Sequence, residues 1–333
     1  MEDSIVMSTN ISLSRNIDNY PFPHKLSESE STVIINKIKK ILTDSEDLSC
    51  EDLVLANIKD ISDIEKNTLI ERNIISKSFS KSDRGALLFN KDKSINVLIN
   101  NEDHINIKVC KKDLDLDEAY EVANNIDDII GENIDYAFNK DIGYLTSCPV
   151  NAGTGLKVSV IVHLPILSLQ DKIDSYYNIA QKIGANIKGI DSEKSNTLGN
   201  MYELYNQCTF GMSEKNIIES IKSLAKDMIL KEDEARNKLK EESSIELEDK
   251  IFRSLGILEK SRIISAYEAM KHLSNIKLGI EMKYIDDINI EKIDSLMKGL
   301  KPGLRLTMTS RDSDIERANY LREEFTLANR KKI

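Results

Sequence analysis

Hydrophobic residues follow two rhythms along this chain. Val158-Ser159-Val160-Ile161-Val162 is a β-branched apolar run that predicts a buried strand. Ala86–Phe89 and Ser94–Ile99 predict two shorter strands on either side of a polar turn. Elsewhere apolar positions recur at helical spacing. Ser27-Glu28-Ser29-Glu30 is a capping box, in which the serine and the glutamate three residues on each satisfy an orphan backbone N–H, and it opens a helix running to about Leu42. Further helices are predicted over 114–130, ending near Gly131, and over 168–183, stopped by Gly184. From Ser213 the texture changes to charged amphipathic stretches almost free of Gly and Pro, over 212–242, 246–258 and 263–276. A last helix is expected to open at Ser313-Asp314-Ile315-Glu316, again a capping-box pattern. The expected division is therefore 1–212, mixed, and 213–333, helical.

A chain of 333 residues, 40% hydrophobic and 31% charged, can form one large or two ordinary domains with proper cores. The net charge of −10 argues against a nucleic-acid binder or an anionic-membrane binder. No apolar run approaches the ~20 residues of a spanning helix, and Glu2 and Asp3 stand where a signal peptide would be basic. Cys50, Cys110, Cys148 and Cys208 lie far apart with no C-x-x-C pair. That spacing fits reduced thiols in a cytoplasm and gives neither a disulfide framework nor a metal site.

The candidate chemistry lies just ahead of the buried strand, in Thr146-Ser147-Cys148-Pro149-Val150-Asn151-Ala152-Gly153-Thr154-Gly155-Leu156-Lys157. Gly153 and Gly155 permit positive φ and close approach, so the loop is suited either to a tight turn around an inert thiol or to bringing a thiolate and backbone N–H groups up to a ligand. The loop resembles the C-P-[ST]-N-x-G-T cysteine loop of the ATP:guanidino phosphotransferases, the family of creatine and arginine kinases. Asn100-Asn101-Glu102-Asp103-His104-Ile105-Asn106-Ile107 resembles the family's N-E-E-D-H-[IL]-R-I, and Leu198–Gln207 resembles its L-G-N-x-x-x-x-S-N-Q. Arg253–Leu258, with 265–279, is similar to the helical C-terminal domain of bacterial protein-arginine kinases of the McsB type. The resemblance spans about residues 5–330. It implies an α/β domain with an antiparallel sheet flanked by helices, followed by an all-helical domain.

The same resemblance implies roles residue by residue. Glu102, Cys148 and Glu193 would serve the acceptor guanidinium, since a planar carboxylate meets a planar guanidinium with two parallel hydrogen bonds. ATP with Mg²⁺ would lie against Ser8, Thr9, Asn10, Ile11 and Ser12, against Asn73 and Asn106, against Lys157, Val158, Ser159, Val160 and Ile161, and against Lys188, Gly189, Ile190, Asp191, Ser192 and Glu193. Ser313, Asp314 and Arg317 would form a phosphoarginine-recognition segment, with Arg311 near the serine that stands in the motif's arginine position. Arg15 and His104 read instead as structural, an ion-pair partner and a strand-start histidine. Arginine-containing protein clients, a zinc-binding activator, a Clp-type protease system and a homodimer are the partners the lineage implies, in bacterial protein quality control.

In-line phosphoryl transfer asks a protein mainly for positioning and for positive charge around the phosphates. The family supplies that charge with five arginines, and here their positions hold Asn10, Ser12, Asn106, Lys157 and Lys188. Two lysines keep charge without the bidentate fork, and three substitutions lose it. One lost electrostatic donor commonly costs roughly 3 kcal/mol of transition-state stabilisation. The expectation is an arginine- or phosphoarginine-binding relative with weak or lost kinase activity. An active protein-arginine kinase using Mg-ATP is the main alternative, and a free-guanidino kinase the lesser one.

Overall fold

The computed structural model describes residues 2–47, 52–190, 197–242, 245–297 and 311–330. The strands are β1 (Val6–Arg15), β2 (Val54–Asn57), β3 (Ala86–Phe89), β4 (Ile95–Ile99), β5 (Ile105–Lys111), β6 (Phe138–Asn139), β7 (Gly143–Tyr144), β8 (Leu156–His163), β9 (Ala185–Gly189) and β10 (Met201–Asn206). The helices of the first half are α1 (Glu2–Ile5), α2 (Glu28–Thr43), α3 (Asp63–Glu71), α4 (Leu116–Gly131), α5 (Pro165–Leu169) and α6 (Ile173–Lys182). Those that follow are α7 (Glu214–Glu241), α8 (Ile245–Lys260), α9 (Ala266–Glu281), α10 (Ile290–Met297) and α11 (Arg311–Arg330).

Eight strands form one antiparallel sheet in the order β2-β3-β4-β5-β1-β8-β10-β9. Alternation sets its two faces, because successive side chains on a strand point to opposite sides. Ile11 and Leu13, Ile105 and Ile107, and Val158 and Val160 all point to one face and are fully buried in the main core, which α4 and α7 cover. The opposite face is closed at the β3–β4 end by a smaller cluster, in which Ile58, Leu69, Ile74 and Phe79 pack on Leu87 and Leu98. Across β5, β1, β8, β10 and β9 that face carries polar residues.

The capping box at Ser27 forms as expected: Ser27 Oγ accepts from the Glu30 N–H at 3.2 Å and Glu30 Oε2 accepts from the Ser27 N–H at 2.8 Å. Three helix expectations change. The helix expected over 168–183 is two helices, α5 and α6, with Asp171 between them at φ 52. Pro165 starts the first a turn earlier than the polar pattern suggested, since proline suits the first helical position. The cap expected at Ser313 is displaced, because α11 already runs from Arg311, and Ser313 lies buried inside its first turn. Similarly, α9 begins after Ser265, whose hydroxyl caps it, and runs on to Glu281.

A buried charge network ties the helical half to the sheet. Glu232 of α7 accepts the backbone N–H groups of Ile166 and Leu167 at 3.1 and 2.9 Å, and pairs with Arg236 at 2.8 Å. Arg236 pairs with Glu281 at 2.6 Å, and Lys277 with Asp294 at 2.6 Å and Glu281 at 3.1 Å. His163, at the end of β8, contacts the Ser274 hydroxyl at 2.7 Å, and Asn200 reaches the same hydroxyl at 2.8 Å.

Candidate functional site

Register places the expected site residues side by side on the open face of the sheet. Ser12 of β1 lies opposite Lys108 of β5 on one side and Lys157 of β8 on the other. Ser14 faces Asn106, and Asn10 lies between Cys110 and Ser159. On the far edge Glu203 of β10 lies opposite Lys188 of β9, and Tyr205 opposite Asn186. Ser8 and Ile161 pair on the same face. Thr9, Ile11, Val158 and Val160, also expected against nucleotide, have the other parity. Their side chains are buried in the core, and the Thr9 hydroxyl donates to Asp113 O at 2.6 Å.

Where the family pattern has arginines, neutral side chains satisfy one another. The Ser12 hydroxyl donates to Asn106 Oδ1 at 3.2 Å, and Asn106 Nδ2 donates to Ser14 Oγ at 2.9 Å. Lys188 is held by Glu203 at 2.7 Å, and both its ammonium and that of Lys157 lie over the Tyr205 ring, at 5.1 and 5.9 Å from its centre. Lys157 is exposed. Lys108, which the motif comparison passed over, donates from Nζ to Ile74 O at 3.0 Å, beside the expected Asn73. Burial first, and then the Lys157 charge, push its ammonium down to about 8, with Glu102 opposing the shift. Strand parity was the available signal, since Lys108 follows Asn106 by two and so shares its face. Glu203 was missed for the same reason.

The acceptor loops are fastened to each other. The Ser147 hydroxyl donates to Glu102 O at 2.6 Å, and the Ser147 and Asn16 amides both reach Asp103 Oδ1 at 2.6 Å. Glu102 is exposed and Cys148 half-buried next to it in the joined loops, with the Thr146 hydroxyl donating to Cys148 O at 2.8 Å. Gly155 takes φ 66, and a Cβ there would stand 2.5 Å from Ser14 O, so glycine is what lets the loop meet β1. His104 is structural: Nδ1 accepts the Ile17 N–H at 3.0 Å, leaving Nε2 to donate to Pro21 O at 3.0 Å, and burial holds its pKa below the usual value. Arg15 is also structural, pairing with buried Asp127 at 2.6 Å under the Tyr144 ring. A surface hollow of about 330 Å³ adjoins this loop at Tyr144, Gly153 and Phe210, and none of the expected site residues lines it.

Gly189 and Ile190 close the β9 end of the face, whereas Asp191, Ser192 and Glu193 lie outside the described residues. At the far end of the chain Arg317 is fully buried, donating to Ile264 O at 2.9 Å and pairing with Asp314 at 2.6 Å. As for the implied ATP and Mg²⁺, the donor set on this face fits a triphosphate poorly. Of its five arginine positions, Ser12 and Asn106 hydrogen-bond each other, Asn10 is neutral, Lys188 is engaged with a carboxylate, and Lys157 keeps its charge without a guanidinium fork.

Residues 33–235 match the sequence model of the ATP:guanido phosphotransferase C-terminal catalytic domain, and residues 244–333 that of the protein-arginine kinase McsB C-terminal domain. The chain is 39% identical to a protein-arginine kinase of Clostridium acetobutylicum, over 97% of each. It is 36% identical to the one of Bacillus subtilis, over 98% of this chain and 91% of that one. Among solved structures it is similar in fold to a lombricine kinase, with a TM-score of 0.60 and 21% identity over 70% of this chain and 67% of that one. A duplicated taurocyamine kinase from Schistosoma mansoni also has a TM-score of 0.60, at 23% identity over 68% of this chain, which spans 32% of that longer chain. The antiparallel sheet, its two fastened loops and these matches lead to one assignment: the chain belongs to the ATP:guanido phosphotransferase family, as a member of its protein-arginine kinase branch.

Proposed function

We propose that this protein binds arginine side chains of client proteins and that its phosphoryl transfer from ATP is weak or lost. The observation that carries the reading is the contrast between the two halves of one face. On the acceptor side an exposed carboxylate, Glu102, sits in a loop fastened to the Cys148 loop, a suitable arrangement for two charge-assisted hydrogen bonds to a guanidinium. On the donor side three of the five arginine positions are neutral, and two of them, Ser12 and Asn106, hydrogen-bond each other. Quality-control partners, including a zinc-binding activator and a Clp-type protease system, belong to this reading by lineage.

Calorimetric titration of Mg-ATP and of an arginine-bearing peptide tests it. Weak nucleotide binding is expected, along with peptide binding that Glu102→Gln weakens by about 1–2 kcal/mol, the difference between a charge-assisted and a neutral contact. Micromolar ATP affinity with formation of acid-labile phosphoarginine would favour an active kinase in which Lys157 and Lys188 serve the phosphates. Equal peptide affinities for wild type and Glu102→Gln would remove the acceptor role.

A further inference from the structure

Beside the Cys148 loop lies the hollow of about 330 Å³, outside the sites described above. Three segments wall it: the β6–β7 hairpin, the loop at Gly153 and Thr154, and residues 209–214. They are fastened to one another. Tyr144 and Gly153 exchange both backbone hydrogen bonds, at 2.8 and 3.2 Å, and the Thr209 hydroxyl reaches the carbonyls of Ala152 and Val150 at 2.5 and 3.4 Å. A Cβ at Gly153 would stand 3.0 Å from Thr209 O, so the glycine lets the third segment close against the loop. The rim is apolar and acidic. Phe138 and Phe210 are 57% and 59% exposed, and Ile142 42%. Single exposed apolar side chains are ordinary, but three around one concavity mark a contact surface. Asp141 and Glu214 stand among them, and among the described residues no lysine or arginine lines the hollow.

Size and position decide what fits. The volume is at the small end of the ~300–1,000 Å³ of ligand sites, suited to one or two side chains. Ser147 is hydrogen-bonded to Glu102 and lies three residues from Val150, a span of at most ~10 Å, and Val150 is hydrogen-bonded to Thr209 of the hollow. A polypeptide whose arginine meets Glu102 therefore reaches the hollow within about three to six residues of extended chain. We propose that the hollow is a second binding point for that same client polypeptide, taking an apolar side chain against Phe138, Ile142 and Phe210 and an adjacent lysine or arginine against Asp141 and Glu214. The inference rests on the acceptor role of Glu102 proposed above and adds selectivity for the sequence around the arginine. It is a binding function in which no bond is made or broken.

The test titrates the full-length protein against fluorescent peptides with a single arginine in a Gly-Ser background. A second set carries Leu-Lys three to six residues to either side of that arginine. The best-spaced Leu-Lys peptide is expected to bind about tenfold more tightly than the plain one. Phe210→Ser should bring this ratio close to one by weakening the Leu-Lys peptide, Asp141→Asn should lower it in part, and Glu102→Gln should weaken both peptides. Thermal melts of each variant confirm that a lost preference is not lost fold. Equal affinities in the wild type overturn the inference while leaving Glu102-dependent arginine binding intact. A preference that survives Phe210→Ser also overturns it, placing the selectivity elsewhere. So does a wild-type dimer that Phe210→Ser converts to monomer in sedimentation, the hollow then being filled by a second copy of this chain. No binding of any peptide overturns this inference and the underlying reading together.

Discussion

Lys277 and Lys108 are the same residue type in opposite situations. Lys277 is fully buried in the helical half, and carboxylates of Asp294 and Glu281 neutralise it at 2.6 and 3.1 Å. Around it Arg236 and Glu232 complete a network in which charge of one sign meets charge of the other. Lys108 sits half-buried on the open sheet face with a backbone carbonyl as its hydrogen-bond partner, beside a second lysine, and its ammonium is correspondingly easier to deprotonate. In the first region the electrostatics are closed within the fold and fix how α7, α9 and α10 meet the end of β8. In the second, among the described residues, one lysine and one carboxylate act on the ammonium from neighbouring positions without an ion pair closing around it. Charge enclosed with its partners holds the structure, whereas charge on the open face titrates.

The largest expected effect lies in the buried network. Lys277→Met leaves Glu281 without that partner in a dry site, and urea unfolding should show a loss of roughly 3–5 kcal/mol, the usual range for breaking a buried pair. Peptide affinity of the folded fraction should not change. A loss below ~1 kcal/mol would put the network in the class of solvated surface pairs and erase the contrast.

A second measurement sharpens the open-face side. Lys108 is an ammonium below about 8 and neutral above it. Among the described residues, the charged groups acting on it are Lys157 of β8 and Glu102 of the turn before β5. An NMR titration of lysine side chains, with the Lys108 signal assigned by its loss in Lys108→Arg, should give a midpoint near 8. Lys157→Met should raise that midpoint by removing a like charge, and Glu102→Gln should lower it by removing an opposite one. A midpoint at the ordinary lysine value of 10.5 would put Lys108 with the solvated lysines of the surface.

The smallest effect is expected at the edge strand. Lys188 is exposed, and its pair with Glu203 is screened by solvent, so Lys188→Met should shift stability by less than ~0.5 kcal/mol in a thermal melt. It should also leave the affinity for an arginine-bearing peptide unchanged. A clear loss of either would give Lys188 a functional role.

Much of this was legible in the residues. The runs at 86–89 and 158–162 are strands because β-branched and apolar side chains suit a pleated, buried surface, and the Ser27–Glu30 box caps α2 because both of its hydrogen bonds are local in sequence. The N-E-D-H and C-P-V-N stretches identified the loops that the fold then fastens together through Ser147. By itself the sequence determined what depends on near neighbours: the Ser27 cap, strand parity, the glycines at the turn, and family membership through short motifs. Tertiary structure decided what depends on partners far apart in the chain. Ser12 is flanked by Lys108 and Lys157 only because β5 and β8 pair on either side of β1, and alternation along one strand does not say which strand lies beside it. Arg317 is fully buried and donates to the carbonyl of Ile264, 53 residues away, a contact that its own motif does not announce. Lys108 had no motif of its own, only the parity it shares with Asn106. Its burial, its tether to Ile74 and its lysine neighbour all come from segments brought together by folding.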